Sequence, residues 1–254
     1  MVHPEIFPPP VSHRHNRRPM RLNKFISETG ACSRREADAW ISAGRVTVNG
    51  KQAALGTQVA GEDVVLLDGQ PLAAGRKDVY LLLNKPRGIT CTTERHVADN
   101  IVDFVGHRER IFPIGRLDKD SEGLILLTNN GDLVNEILRV EHGHEKEYLV
   151  QVERPVTATF LAMMAGGVKI GGEKTKPCTV TQTGRDTFRV VLTQGLNRQI
   201  RRMCSALGFR VQRLQRVRIM HIHLGTLASG RWRDLTDAEI GPLLAARAAR
   251  TAAG

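Results

Sequence analysis

The sequence predicts an α+β protein of two unequal units, a small module of about fifty residues followed by a larger body rich in strands. Three observations lead there. Apolar residues recur at helical spacing in only a few stretches, whereas short apolar runs bounded by turn residues recur along the chain. Helices and strands do not alternate regularly, as a doubly wound sheet requires. Between the two units, residues 69–78 contain Pro71, Gly75 and the basic pair Arg76 and Lys77, the composition of a linker.

Residues 1–19 hold Pro8, Pro9, Pro10, three histidines and Arg14, Arg17 and Arg18 without periodicity, and read as a disordered basic arm. Ordered patterning begins at Met20, itself a candidate start. The module then runs over 20–68. Leu22, Phe25 and Ile26 place one helix, which Gly30 can end. Ser33 opens a second, with Glu36 three residues later completing a capping box. Ala37, Trp40 and Ile41 form its apolar stripe and Gly44 stops it. A strand from Val46 enters an Asn49-Gly50 turn, and another short strand is expected over 64–67. The body, 79–250, opens with a buried strand over 79–83. Further strands are expected at 124–128, 148–152, 179–181, 188–192 and 217–223. Helices are expected at 133–138, 158–164, 199–207 and 238–250, the last behind a second capping box of Thr236 and Glu239.

Of the 254 residues 41% are hydrophobic, enough for real cores, which excludes a disordered chain. No apolar run approaches the ~18 residues of a spanning helix, and no leader-like apolar stretch opens the chain, so neither a membrane nor secretion is expected. Cys32, Cys91, Cys178 and Cys204 lie far apart, as suits reduced thiols in the cytoplasm. Thirty-seven Lys and Arg against 26 Asp and Glu leave a charge of +11, which points to a polyanionic partner, nucleic acid. The excess is concentrated. Between 188 and 218 stand Arg189, Arg198, Arg201, Arg202, Arg210, Arg213, Arg216 and Arg218 and no acid, interleaved with Val190, Val191, Leu192, Ile200, Met203, Leu207 and Val211. Folded and uniformly positive, this run predicts a binding face, with Arg213, Arg216 and Arg218 as phosphate contacts. Arg34 and Arg35 in the first turn of a helix oppose its dipole, and a bound phosphate would explain them. The alternative is an Arg34–Asp38 pair. Aromatic residues make up only 4%, which favours reading folded RNA by backbone and shape over base stacking.

Phosphate-cradling and nucleophile-elbow motifs are absent. His142 with His144 and His221 with His223 sit two apart, but no third ligand cluster accompanies them, so no metal is expected. The informative stretch is 115–124, a polar loop bounded by Gly115 and Gly123 that feeds the apolar run from Leu124 to Leu127. A carboxylate on a loop braced by a buried strand is well placed for chemistry. Spacing alone reads Asp118 as a turn aspartate, and Asp120 is the alternative functional carboxylate.

At this loop the chain resembles a known family. Gly115-Arg116-Leu117-Asp118, followed by Gly123-Leu124-Ile125-Leu126-Leu127-Thr128-Asn129, is similar to the signature loop of RNA pseudouridine synthases. Gln194-Gly195-Leu196-Asn197-Arg198-Gln199-Ile200-Arg201-Arg202-Met203 resembles their late motif, and Lys146-Glu147-Tyr148-Leu149-Val150 their tyrosine strand. Residues 21–48 resemble the alpha-L RNA-binding module of ribosomal protein S-four, which precedes the ribosomal-RNA branch of these enzymes. Residues 100–105 and 232–236 are most similar to the F-type large-subunit members. The resemblance runs from Met20 to about residue 244.

It implies an S-four-type module ahead of a catalytic domain built on a mainly antiparallel mixed sheet. It implies a monomeric, cofactor-free and metal-free isomerase that turns uridine into pseudouridine in RNA, foremost large-subunit ribosomal RNA. A small-subunit or transfer-RNA synthase, and a non-catalytic RNA-binding or ribosome-assembly factor, are the alternatives. The reaction breaks a glycosidic bond, turns the base and rejoins it through C5, so a carboxylate must attack either C1′ or C6. The resemblance assigns that role to Asp118 and makes Arg201 its basic partner, opposing the cost of burying the charge. Tyr148, which shares a strand face with Lys146, Val150 and Val152, is implied to lie beneath the base and to assist proton transfer. Arg116 would fill the place of the flipped nucleotide or hold its phosphate. Asn197, Arg198 and Gln199 are implied contacts to the RNA backbone.

Overall fold

In the computed structural model, residues 19–72, 76–138 and 143–253 are described, and the chain divides into two units, 1–77 and 78–254. The basic arm expected over 1–19, but for its last residue, and His142 lie outside the described residues.

In the first unit, strand β1 (Met20–Arg21) leads directly into helix α1 (Leu22–Glu28), and α2 (Arg34–Ser42) follows. The Ser33–Glu36 capping box is formed: Ser33 Oγ accepts the Glu36 N–H at 3.2 Å, and the Ser33 N–H donates to Glu36 Oε2 at 2.6 Å. Such a cap is worth about 1 kcal/mol. Next come β2 (Val46–Val48), β3 (Lys51–Gln52), β4 (Gln58–Val59), β5 (Val65–Leu67) and β6 (Gln70–Pro71). Asn49 and Gly50 both take positive φ (51° and 77°), as a two-residue hairpin turn demands, so β2 and β3 pair as expected. Asp68 and Gly69 repeat the device at 49° and 79°, pairing β6 with β5. This corrects the linker reading: residues 69–71 belong to the module, because Asp-Gly here is a hairpin turn. Leu22, Ile26, Ala37, Ile41, Val46, Val59 and Val65 pack into one core. Each buried Leu or Ile side chain contributes about 1.5–3 kcal/mol.

The second unit is built on a nine-stranded sheet. Its elements in chain order are β7 (Tyr80–Lys85), α3 (Ile101–Val105), β8 (Phe112–Ile114), β9 (Glu122–Thr128), α4 (Gly131–Leu138), β10 (Lys146–Val152), α5 (Ala158–Ala165), β11 (Lys169–Ile170) and β12 (Glu173–Lys174). They continue with β13 (Thr179–Gln182), β14 (Thr187–Leu192), α6 (Gln199–Ala206), β15 (Val211–Ile219), β16 (Ile222–His223), β17 (Trp232–Asp234) and α7 (Asp237–Ala253). The main strand order is β13-β14-β10-β15-β9-β7-β17, with β16 on β15 and β8 on β9. Among the described residues every strand pairing of this sheet is antiparallel except β15 with β9. The fold is therefore α+β with a mixed, mainly antiparallel sheet.

Three cores hold this unit. Phe160 and Met164 of α5 and Ile200 and Met203 of α6 cover Val150, Phe188, Val190 and Leu214. Leu133 and Ile137 of α4 and Leu243 of α7 cover Tyr80, Leu82, Leu124 and Leu126. Ile101 and Val105 of α3 meet Leu81, Leu83, Ile125 and Leu127, which alternate with the previous set along β7 and β9. Tyr148 packs against both the α5/α6 core and the α3 core. One expected strand is misplaced. Residues 217–223 are not a single strand: β15 starts six residues earlier, at Val211, and the chain turns at Met220 and His221. Arginines and glutamines between 211 and 218 hide the strand, because a period-2 apolar pattern marks only strands with one polar face in water. No described helix is long and apolar enough to cross a membrane.

The second capping box is formed as well. Glu239 Oε2 accepts the Thr236 N–H at 2.9 Å, and Arg233 grips the same carboxylate through two 2.7 Å hydrogen bonds. The Arg233 hydrogen bonds, more than the cap, hold the Glu239 carboxyl down to about 2 from an ordinary 4.5. The unfolded chain therefore takes up this proton first. The stabilisation is complete above pH 4.5 and is lost as pH falls toward about 2. Glu239→Gln should cost about 1 kcal/mol at neutral pH in urea unfolding. Its stability should also fall less than the parent's between those two pH values; parallel pH profiles would contradict the pairing.

Candidate active site

The site is set by a close approach of two backbones. β15 runs parallel to β9 with Arg216 opposite Gly123, and antiparallel to β10 with Arg216 opposite Tyr148. Gly123, Arg216 and Tyr148 thus form one row across three strands. Gly123 has φ 101°, and a Cβ there would lie 2.3 Å from the Arg216 carbonyl oxygen. Only glycine admits β15 at that distance. The loop preceding Gly123 is in turn tied down at three points. The Ser121 N–H donates to Asp118 O at 3.0 Å, the Gly88 N–H to Lys119 O at 2.7 Å, and the Leu117 N–H to Cys91 Sγ at 3.4 Å.

Two arginines from the late motif hold this loop. Arg198 caps α6 in the left-handed region (φ 48°), a conformation a non-glycine residue keeps only when its surroundings enforce it. Its guanidinium forks onto Asp120 with two 3.0 Å hydrogen bonds, and its Nη1 lies 3.4 Å from Asp118 Oδ2. Arg201 Nη2 donates to Asp120 O at 3.0 Å and to Ser121 Oγ at 3.3 Å. Its Nε is 3.4 Å from Asp120 Oδ2 but out of line for a hydrogen bond. The expected Arg201–Asp118 pairing is thereby corrected: in the free protein Arg201 braces residues 120 and 121, and Arg198 is the guanidinium beside Asp118. The Arg198 hydrogen bonds hold the Asp120 carboxyl below the usual carboxylate range, with burial opposing and Arg201 assisting. Burial pushes the Arg201 guanidinium down, and Asp120 pushes back.

Around this loop lies a cavity of about 580 Å³, lined among others by Arg116, Asp118, Tyr148, Asn197, Arg198 and Arg216. It is of the size that takes a nucleoside. Segments far apart in sequence meet there. Arg116, Asn197 and Arg198 are exposed at it, and Asp118 is half-buried. Gln199 is different: only 5% exposed, its side chain accepts the Leu196 N–H at 3.0 Å and donates to Gln194 at 3.3 Å. It shapes the loop and is not turned outward as a backbone contact would be.

The arginine run is not one positive face. Arg213 is exposed but pairs with Glu122; Arg218 donates to Glu147 at 2.8 Å and to Glu145 at 3.0 Å; Arg189 is 3.2 Å from Glu147. Arg216 is buried, 4% exposed. The run has no acid of its own, but the sheet brings acids to it from β9 and β10. In the module, Arg34 and Arg35 are exposed, and the Arg34–Asp38 alternative is not formed, since Asp38 accepts from Asn23 at 3.0 and 3.1 Å.

Lys85 escaped the sequence reading. It is wholly buried at the end of β7, its Nζ donating to Pro86 O at 2.9 Å. Burial pushes its ammonium down, while Cys91, Asp120, Asp118 and Glu122 oppose that shift. The available signal was a lone cation closing an apolar strand. Among the described residues no three His, Cys, Asp or Glu side chains assemble as a metal-ligand set. His221 lies in a turn, its Nε2 2.9 Å from Glu239 O.

Both units resemble known proteins. Residues 79–206 match the RNA pseudouridylate synthase family and residues 20–65 the S4 domain. Similar proteins include the dual-specificity RNA pseudouridine synthase RluF of Salmonella typhi, 56% identical over 87% of this chain and 77% of that one. Its namesake from Escherichia coli K12 is 55% identical with the same shares covered. The ribosomal small subunit pseudouridine synthase A of Salmonella typhimurium is 38% identical over 87% of this chain and 98% of that one. A crystal structure of a pseudouridylate synthase superposes with a TM-score of 0.65 at 32% identity, covering 88% of this chain and 99% of that one.

The row through Gly123 makes a contrast between two glycines. Gly172 also has positive φ (91°), but a Cβ there meets nothing within 4 Å. Gly172→Ala should therefore cost only backbone strain, about 1 kcal/mol, and Gly123→Ala about 3 kcal/mol or more. Denaturant unfolding of the two variants measures both; equal losses would contradict the close approach.

Proposed function

Because this chain belongs to the RNA pseudouridine synthase family, enzymes that isomerise uridine in RNA, we propose that Asp118 is its nucleophile and that its main substrate is large-subunit ribosomal RNA. The observation that carries the assignment of Asp118 is the division of labour between the two loop carboxylates. Asp120 is forked by Arg198 and braced by Arg201, so both its oxygens are engaged. Asp118 has one guanidinium nitrogen at 3.4 Å and otherwise faces the cavity it lines. A carboxylate that must attack carbon needs a free oxygen, and a neighbouring guanidinium can orient it.

The base, flipped out of its stack, enters the cavity over Tyr148, and Asp118 attacks C1′ or C6. The C1′–N1 bond breaks, the base turns and C5 bonds to C1′. The bond to Asp118 breaks in exchange, at C1′ as C5 displaces the carboxylate or at C6 by its later elimination. The C5 proton leaves and N1 takes one up. Arg198 accompanies the charge on Asp118 and Arg201 keeps the loop in place. Arg116 and Asn197, exposed at the cavity, meet the RNA backbone. Arg213 can do so by leaving Glu122, and Arg34 and Arg35 contact phosphate from the module 20–68. The likeness to enzymes named dual-specificity RNA pseudouridine synthases supports more than one RNA substrate, and transfer RNA is the second class of this reading. One chain holds all the groups the chemistry uses, which supports a monomer, and four free thiols support a cytoplasmic setting.

Asp118→Asn should abolish tritium release from RNA carrying C5-tritiated uridine, a loss of about 10⁴-fold or more, and leave RNA affinity within about twofold. Asp120→Asn should lower the melting temperature and reduce turnover far less. Substantial turnover by the residue-118 variant would remove it as nucleophile.

A second test concerns the module. Tethering raises the effective concentration of RNA at the catalytic unit. A fragment beginning at Asp78 should keep low activity on a short hairpin but bind large ribosomal RNA about 10²-fold more weakly than the full chain. Equal affinities would show that the module does not bind the substrate.

A further inference from the structure

Arg216 occupies the middle of the Gly123–Arg216–Tyr148 row and is 4% exposed. Its Nε donates to Leu124 O at 2.7 Å, but its Nη2 is buried and has no hydrogen-bond partner among the described residues. Arg216 also lines the cavity that holds Asp118 and Tyr148. A buried guanidinium N–H without an acceptor costs several kcal/mol, so this corner of the cavity is built for an acceptor that the protein itself does not supply.

Lys146 deepens the imbalance. It stands two residues before Tyr148 on β10 and lines the same cavity, and among the described residues its Nζ donates only to His144 O, at 3.1 Å. Burial, and after it the Arg216 charge, push the Lys146 ammonium below its ordinary value. Among the described residues neither cation is bonded to a carboxylate. The exposed arginines at the cavity, Arg116 and Arg198, are within reach of an RNA backbone that stays in water. The buried corner is reached only by what is inserted, the flipped base. A uracil offers O2 and O4 as acceptors, and it is the part of the substrate that gains charge during the reaction.

We propose that Arg216 donates its free Nη2–H to a carbonyl oxygen of the inserted uracil and stabilises the negative charge on the ring as the C1′–N1 bond breaks. The inference rests on the cavity being the uridine site. When that bond breaks, its electron pair goes to N1 and is shared with O2 and O4. A fixed donor at either oxygen lowers the barrier, because a hydrogen bond to an anion is stronger than one to the neutral carbonyl. When C5 later bonds C1′, the C5 proton is lost, N1 is protonated, and the substrate's composition is unchanged. Arg216 is thereby a contact to the base and not to phosphate, the role first expected for it.

The test is a cycle between enzyme and substrate at saturating RNA. Single-turnover rates are measured for the parent and Arg216→Met, each with uridine, 2-thiouridine and 4-thiouridine at the target position. Sulfur is a weak acceptor, and its intrinsic effect on the leaving base is felt by both enzymes and cancels in the cycle. With uridine, Arg216→Met should be slower by about 10²-fold or more, with RNA affinity changed by less than about threefold. One of the two thio-substitutions should slow the parent by at least about tenfold relative to its effect on the variant. Additive losses for both thio-substitutions would overturn the proposal. So would an unchanged rate with weakened RNA binding, the signature of a phosphate contact. If Arg216→Met does not fold, Arg216→Gln carries the same cycle. A parent that forms no pseudouridine from any uridine RNA would refute the underlying reading of the cavity, an outcome distinct from an active parent without coupling.

Discussion

The approach of β15 to β9 at Gly123 is the constraint on which the site depends. Because no side chain stands at that position, the Arg216 backbone can pair beside it, and among the described residues this junction is the one parallel pairing in the sheet. It brings the late, arginine-rich part of the chain against the loop that precedes β9. It also puts Tyr148 of β10 one strand away from that loop. Without it, Asp118 and Tyr148 would have no shared cavity, and α6 would not be positioned to reach the loop. The chemistry of the site thus follows from a steric fact about one glycine.

Electrostatics then sorts the charges this junction brings together. Eight arginines without an acid in sequence would repel one another, and the sheet resolves this by placing Glu122, Glu145 and Glu147 beside three of them. Arg198 and Arg201 are matched by Asp120. Arg202 and Arg210 stay exposed to water, and at the cavity Asp118 has one loose contact and Arg216 a buried N–H group without an acceptor among the described residues. Exposed ion pairs of the Arg213–Glu122 kind contribute little to stability, so they can open toward RNA at small cost.

Much of this was legible in the sequence, for reasons that are local. Ser33 with Glu36 and Thr236 with Glu239 form their capping boxes within four residues, and Asn49-Gly50 makes its turn without outside help. The Asp118 loop, Tyr148 and the 198–201 segment were identified by resemblance, and Asp118, Tyr148 and residues 198–200 line one cavity, with Arg201 behind it. Two of the failures were matters of long-range pairing. Whether Arg201 meets Asp118 or Asp120 depends on how a helix some eighty residues later is pitched over the loop. That Arg216 is buried depends on being flanked on both sides by strands, which its polar neighbours conceal. The Asp68-Gly69 hairpin was open to the same turn logic as Asn49-Gly50, but the Pro and Gly that follow suggested a linker.

The central claim is that the inserted uridine meets Asp118 while Asp120 remains a structural anchor. The measurement that tests it most directly is a crystal structure of the Asp118→Asn variant bound to an RNA hairpin carrying the target uridine. The account predicts the residue-118 side chain in contact with C1′ or C6, about 3–3.5 Å away, with Asp120 still forked by Arg198. A uridine seated against Asp120, with the Arg198 fork released, would contradict it.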